Sequence, residues 1–492
     1  MRYISTRSDS YSMPSHQAVI QGLCPDGGLF VPEDLNIRID LDALKDSSYQ
    51  EIAEGVIGAF FPDYTQEEIR QCVYGAYDSK FDDAEIVPVT PFSNGAIMEL
   101  WHGPTSAFKD LALTILPHLL TTAYAKEQRD DTVAILTATS GDTGKAALSG
   151  FADVPHTHIT VFYPVNGVSD IQKRQMNTSR GANVNVVAVE GNFDDCQRMV
   201  KTACADATVK AACNGVTISS ANSINIGRLV PQIVYYFSTY LKLVRDGQIK
   251  DREPVTFVVP TGNFGDIFAG YLAAKAGLPV KNLIVASNDN NVLTDFIRTG
   301  TYDRNRPFHE TISPSMDILI SSNLERLLYF ASNGDTAMVA SLMKQLSETG
   351  TYTVSQELLH TIQSSFKAYW CDQDACRKAI ADLYEREQIL IDPHTAVAVS
   401  ALEQYRAEGN QEYAVVLSTA SPYKFARDVL ACISTDQPED AFAAMRLLKE
   451  RTGLSIPQGL AELESLPVRF QTVIAEADGI SFIAREMKEL SK

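Results

Sequence analysis

The sequence predicts an α/β protein built on doubly wound, mainly parallel sheets. From about residue 132 onward, short β-branched runs alternate with helical segments. Each run enters its helix through a turn of Gly, Ser, Thr or Asn. Strands alternating with helices imply βαβ units and parallel pairing. The length of 492 residues exceeds a single compact core and calls for two or three domains.

Residues 1–85 stand outside the alternation and are expected to form a separate N-terminal domain, with "SKFDDAEIVPVTPFSNG" as the connection. Next, "TVAILTA" passes through "TSGDTG" into "KAALSGF", and "HITVFYP" precedes the polar helix "VSDIQKRQMNTSR". "NVNVVAV" precedes "FDDCQRMVKTACADA", and "GVTISS" precedes "INIGRLVPQIVYYFSTYLKLV". "VTFVVP" turns through "TGNFGD" into "IFAGYLAAKAG", where Gly277 and then Pro279 stop the helix. "NLIVAS" follows, and "YAVVLS" later turns through "TASP" into "KFARDVLAC". Residues from about 300 to 390 and those after about 435 read as mostly helical. The expected division is 1–85, 86–435 and 436–492. In sheets of this kind, ligands bind at the carboxyl ends of the strands, where the polar turns lie.

A net charge of −19 argues against nucleic acid or an anionic membrane as the main partner. The eight cysteines include no C-x-x-C pair, so reduced thiols in a cytoplasmic protein are expected. The opening "MRYISTRSDSYSM" has no apolar core of a secretory signal, and no run approaches the ~18 apolar residues that span a bilayer. The histidines form no metal-like cluster, and no metal is expected.

Four segments carry candidate chemistry. "TGNFGD" follows a strand and opens a helix; Gly262 and Gly265 would admit a ligand to the backbone, and the helix N-terminus would offer N–H groups to a phosphate. A tight turn that needs glycine is the plain alternative. "TSGDTGK" lacks the glycine and hydroxyl positions of a Walker A loop but suits a carboxylate or phosphate. "SANSINIGR" sets Asn222, Ser223 and Arg228 around a helix start, although an isolated arginine there is more often a surface or sheet-edge residue. "HGPTSAFKD" places Lys109 after a run of small and apolar residues, an unusual setting for a surface lysine.

Taken together and in order, "HGPTSAFKD", "TSGDTG", "SANSINIGR", "PTGNFGD" and "LSTASPYKF" resemble the threonine synthase family of pyridoxal-phosphate enzymes, which have the tryptophan synthase β-like fold. The opening "YISTRS" and "GLCPDGGLFVPEDL" resemble that family's N-terminal domain. The resemblance implies two α/β domains enclosing pyridoxal 5'-phosphate, with a small N-terminal domain and helical C-terminal additions. It implies that Lys109 forms the internal Schiff base with the cofactor aldehyde and later acts as base. Gly262, Asn263, Phe264, Gly265 and Asp266 would surround the cofactor phosphate, chiefly through backbone N–H groups. Thr419 would hydrogen-bond the pyridine nitrogen, and Ser140, Asp142 and Thr143 would receive the substrate carboxylate. Asn222, Ser223 and Arg228 would hold the substrate phosphate, with Lys145 a weaker candidate.

The implied reaction converts O-phospho-L-homoserine and water into L-threonine and phosphate. A phospho-lyase of the same fold, eliminating phosphate from an amino-alcohol phosphate, remains the alternative, and a non-catalytic binding protein is a third possibility. The expected partner is a small-molecule substrate, with no nucleic acid and no membrane, and the chain is expected to act as a monomer or homodimer. Asp110 reads as a helix N-terminal charge, and Pro117 is expected to kink or interrupt its helix.

Overall fold

The computed structural model describes residues 1–166 and 168–491. Two sheets organise it. The larger has six strands in the order Phe366–Trp370, Val280–Ser287, Val255–Pro260, Ala414–Ser418, Gly95–Glu99 and Val89–Phe92. All its pairings are parallel except the last, where Val89–Phe92 returns antiparallel to Gly95–Glu99. The second sheet has five parallel strands in the order Thr472–Ala475, Val184–Glu190, Thr157–Pro164, Thr132–Ala138 and Val216–Ser219. Central strands such as Val255–Pro260 are buried throughout, as expected when helices cover both faces of a parallel sheet.

Two edges depart from the sequence expectation. Residues 366–370 lie in a region read as helical, yet they form an outer strand of the six-stranded sheet. Thr472–Ala475, in the segment also read as helical, extends the second sheet beside Val184–Glu190. Both are short edge strands, and their partners are distant in sequence.

The chain before residue 77 forms a three-stranded antiparallel sheet with the helices Tyr49–Phe60 and Gln66–Ala76. Each helix opens with a capping box, Ser48 with Glu51 and Thr65 with Glu68. Buried Tyr3, Phe30 and Phe60 share one apolar core with Leu116, Tyr235 and Phe257. The helix after Lys109 is interrupted as its proline predicts: Asp110–Leu113 ends, Thr114 and Ile115 intervene, and Leu116–Lys126 restarts with Pro117 in its first turn. Proline lacks the N–H that would have continued the ladder to Leu113. Among the described residues no helix is long and apolar enough to cross a membrane.

Candidate active site

Lys109 sits in a loop stitched to the end of a neighbouring strand. Phe108 N donates to Thr419 O at 2.8 Å, and Ser421 N to Ser106 O at 3.1 Å. Thr419 is thereby brought beside the lysine loop, and its hydroxyl donates to no other described residue. Asp110 does more than bias a helix terminus. Its buried carboxylate accepts from Thr105 N at 2.8 Å and Thr105 Oγ1 at 2.5 Å, which shapes the turn before the lysine. Gly103 must be glycine, since a Cβ there would collide with the Asp110 side chain. Upstream, His102 is held between Asp82 at 2.6 Å and Glu99 at 2.8 Å. Burial opposes its charge, but the two carboxylates raise its pKa to about 9.

The Lys109 side chain is 11 % exposed, and its Nζ lies 3.7 Å from Asp142 Oδ2. Burial lowers its pKa; Asp142 opposes that shift, and the nearby cations Lys424 and Arg228 reinforce it. Asp142 is engaged elsewhere. Lys424 Nζ approaches its Oδ1 at 2.5 Å, and Gln172 Nε2 donates to the same oxygen at 2.8 Å. Burial works against the carboxylate, yet Lys424 and Lys109 hold its pKa well below the usual range. The expectation that Asp142 helps to receive a substrate carboxylate is therefore corrected for its side chain, which is anionic and already paired. Its backbone N–H, with that of Thr143, stands free at the helix N-terminus, beside the unengaged hydroxyls of Ser140 and Thr143. Thr139 Oγ1 accepts from Gly141 N and Gly144 N at 3.0 and 2.9 Å and fixes the turn.

The loop after Val255–Pro260 presents a run of unsatisfied donors. None of the N–H groups of residues 262–267 donates to another described residue. The carbonyls are held on the opposite side: Ser321 Oγ donates to Gly262 O at 2.7 Å, and Asn323 N and Nδ2 donate to Asn263 O at 3.1 and 2.8 Å. Phe264 takes a left-handed φ of 61° to turn into helix Gly265–Lys275. Such a row of donors at a helix start is a ready anion cradle. The Asp266 side chain does not join it. Its carboxylate turns inward to accept from Tyr235 Oη at 2.6 Å and Tyr236 Oη at 3.0 Å. Burial raises its pKa to about 6, with the tyrosine hydrogen bonds pulling the other way.

A Cβ at Gly262 would lie 2.7 Å from Ser315 O, a backbone atom, whereas one at Gly265 would meet only Asn323 Nδ2 at 3.4 Å. Gly262→Ala should therefore distort the loop, while Gly265→Ala should act only through the approach of a ligand. Each should weaken retention of a phosphate-bearing cofactor about tenfold or more, equivalent to ~1.4 kcal/mol, as read from cofactor absorbance after dialysis. Retention equal to wild type in both variants would reduce the loop to a structural turn.

Arg228 is buried, against the surface reading open to an isolated arginine. Its Nη1 donates to Ala221 O at 2.8 Å, its Nε has no partner, and burial lowers its pKa to about 10. The side chains of Asn222 and Ser223 are likewise unengaged by other described residues. Arg326, which the sequence did not single out, ties these loops together. Fully buried, it donates to Phe30 O at 2.9 Å, to Asn323 Oδ1 and to Ile224 O at 2.5 Å. It thus links the N-terminal region to the loop carrying Asn222 and Ser223 and, through Asn323, to Asn263. Lys145 faces a different cleft.

Comparison with known proteins fits this geometry. Residues 97–421 match the family model "Pyridoxal-phosphate dependent enzyme", residues 2–77 "Threonine synthase N terminus" and residues 395–482 "Threonine synthase, C-terminal". The threonine synthase of Pseudomonas aeruginosa is 40% identical over 433 residues, covering 86% of this chain and 89% of that one. The chain belongs to the threonine synthase family. A crystal structure of pyridoxal-phosphate-bound threonine synthase from Brucella melitensis superposes with a TM-score of 0.89 at 35% identity, covering 100% of both chains. The human protein "Threonine synthase-like 1" is 39% identical over 441 residues, but the chain spans only 58% of its length.

The cofactor of this family is pyridoxal phosphate, and the residues present fit it. Lys109, whose pKa burial lowers, would take the aldehyde, the unpaired N–H groups of residues 262–267 would take the phosphate, and the Thr419 hydroxyl lies free beside the lysine loop. Among the described residues no group of three or more His, Cys, Asp or Glu is arranged to hold a metal ion.

Proposed function

We propose that this member of the family is a threonine synthase, converting O-phospho-L-homoserine and water into L-threonine and phosphate. The observation that carries the reading is the pairing of a buried, deprotonation-biased Lys109 with two separate anion-binding arrays, residues 262–267 and the set of Asn222, Ser223 and Arg228. One array serves the cofactor phosphate, and the other serves a substrate that brings its own. When bound, pyridoxal phosphate supplies an electron sink for carbanions formed on the substrate.

Lys109 Nζ would hold the cofactor through its aldehyde and, when unprotonated, would take the Cα proton and carry protons to and from the substrate's carbons. Asp142, kept anionic by Lys424, orients the ammonium form of Lys109 without holding it permanently charged. The N–H groups of residues 262–266 would hold the cofactor phosphate, and Thr419 Oγ1 would serve the pyridine nitrogen. The N–H groups of Asp142 and Thr143, with the Ser140 and Thr143 hydroxyls, receive the substrate carboxylate. Charge grows on the departing phosphate oxygen, and the Arg228 guanidinium with Asn222 and Ser223 stabilises it.

Incubation with O-phosphohomoserine, with threonine, 2-oxobutyrate and phosphate measured separately, tests the reading. Threonine and phosphate in equal amounts support it; phosphate without threonine favours the phospho-lyase.

Arg228→Lys should leave cofactor absorbance intact and lower kcat/KM for O-phosphohomoserine by roughly one to three orders of magnitude, because an ammonium cannot replace a bidentate guanidinium. Inorganic phosphate should also inhibit the variant less than the wild type. Lower turnover with unchanged phosphate inhibition would assign Arg228 to the fold or to the carboxylate.

A further inference from the structure

A second cleft, of about 220 Å³, has neither Lys109 nor any of residues 262–266 in its walls. It is bounded by helix Asp142–Phe151, by the turn after helix Asp170–Asn177, and by residues 459–466. The third wall is anchored. Arg174 donates to the carbonyls of Leu463, Glu464 and Leu466 at 3.0, 3.0 and 2.7 Å, and Arg469 Nη1 donates to Ser179 O at 2.7 Å.

Two cations line this cleft, Lys145 and Arg180. The Lys145 ammonium has three donors and uses one, to Ser179 Oγ at 3.3 Å. The charges bearing on it are Asp110, whose carboxylate is occupied by Thr105, and the cations Lys424 and Arg180. Burial lowers its pKa to about 8. Arg180, exposed and lining the cleft, forms no ion pair or side-chain hydrogen bond with another described residue. Lys145 is partly buried and forms no ion pair, and a charge-assisted contact to an anion would use its free donors. Leu148, Leu463 and Leu466 give the cleft an apolar side, Ser149, Thr178 and Ser179 add hydroxyls, and Glu462 is the one carboxylate lining it.

We propose that this cleft binds a small organic anion, its carboxylate or phosphate group seated between Lys145 and Arg180 and its body against the leucines. The site stands apart from the proposed reaction and does not depend on it. Lys145 lies three residues beyond Asp142 on one helix, and the Arg180 turn follows the helix that carries Gln172, the donor to Asp142. A bound anion therefore braces the two helices that fix Asp142 against Lys109.

Calorimetric titration of the holoprotein with inorganic phosphate, and separately with isovalerate, tests the site. The titrations use an Arg228→Met background, which removes the other phosphate subsite. At least one probe should bind, and its affinity should fall tenfold or more in Lys145→Met and in Arg180→Met. Binding of phosphate alone, or of isovalerate alone, supports the site and identifies which anionic group it takes. Arg180 is exposed, so its variant decides the matter even if Lys145→Met does not fold. Absence of binding by both probes, or equal binding with and without the Lys145 and Arg180 side chains, overturns the proposal.

Discussion

Replacing Lys109 with alanine should abolish covalent attachment of pyridoxal phosphate and lower turnover of O-phosphohomoserine by about four orders of magnitude or more. The size follows from the loss of two functions in one side chain, the amine that attaches the cofactor and the base that moves the substrate's protons. The cofactor itself should still bind, because residues 262–267 keep their free N–H groups in the variant. Borohydride treatment of the wild type followed by peptide mapping should place the label on Lys109. A label on another lysine, or an alanine variant that retains turnover, would overturn the assignment. Lys424 is the informative competitor: it is more deeply buried than Lys109, and its ammonium is committed to Asp142 at 2.5 Å and to Thr105 O at 3.0 Å.

What the sequence disclosed, and what it hid, follows from the range of each interaction. The central strands were legible because runs such as "TVAILTA" and "VTFVVP" are apolar along their whole length, as strands covered on both faces must be. The edge strands Phe366–Trp370 and Thr472–Ala475 were not, since short runs with exposed residues acquire strand character only from a distant neighbour. The lysine block and the glycine loop were legible because their chemistry is local: a turn, a helix start, a neighbouring hydroxyl. Lys424 was quoted within "LSTASPYKF" but assigned no role, because its partner Thr105 lies 319 residues away. Arg326 meets Phe30 and Ile224 across gaps of 296 and 102 residues, and nothing in "NLERLLYF" marks it as more than a helix charge. Asp266 divides in two: its backbone N–H stays free in the "GNFGD" turn, while its carboxylate belongs to Tyr235 and Tyr236, which the sequence presents as members of an apolar helix.

Lys424→Met should destabilise the fold by about 3–5 kcal/mol, the usual consequence of stripping one partner from a buried ion pair. Asp142 would be left with Lys109 at 3.7 Å and the Gln172 amide. The deficit should depend on pH in a defined direction. The Asp142 carboxyl titrates below its ordinary 3.8 in the folded protein, so the pair's contribution is present above that pH and fades as acid protonates the carboxylate. The gap in unfolding free energy between wild type and variant should thus be full near neutrality and narrow below about pH 4. The double variant Asp142→Leu/Lys424→Met should recover much of the loss, because no uncompensated charge remains. A second effect reaches the chemistry. Lys424 is a cation that helps to depress the Lys109 pKa, and it also draws Asp142 away from Lys109. Without it Lys109 holds its proton more tightly, so covalent loading of the apoprotein with pyridoxal phosphate should require a higher pH than in the wild type. A Lys424→Met protein as stable as wild type, with its loading profile unmoved, would show that the Asp142 charge is not balanced by Lys424 and that Lys109 is tuned by burial alone.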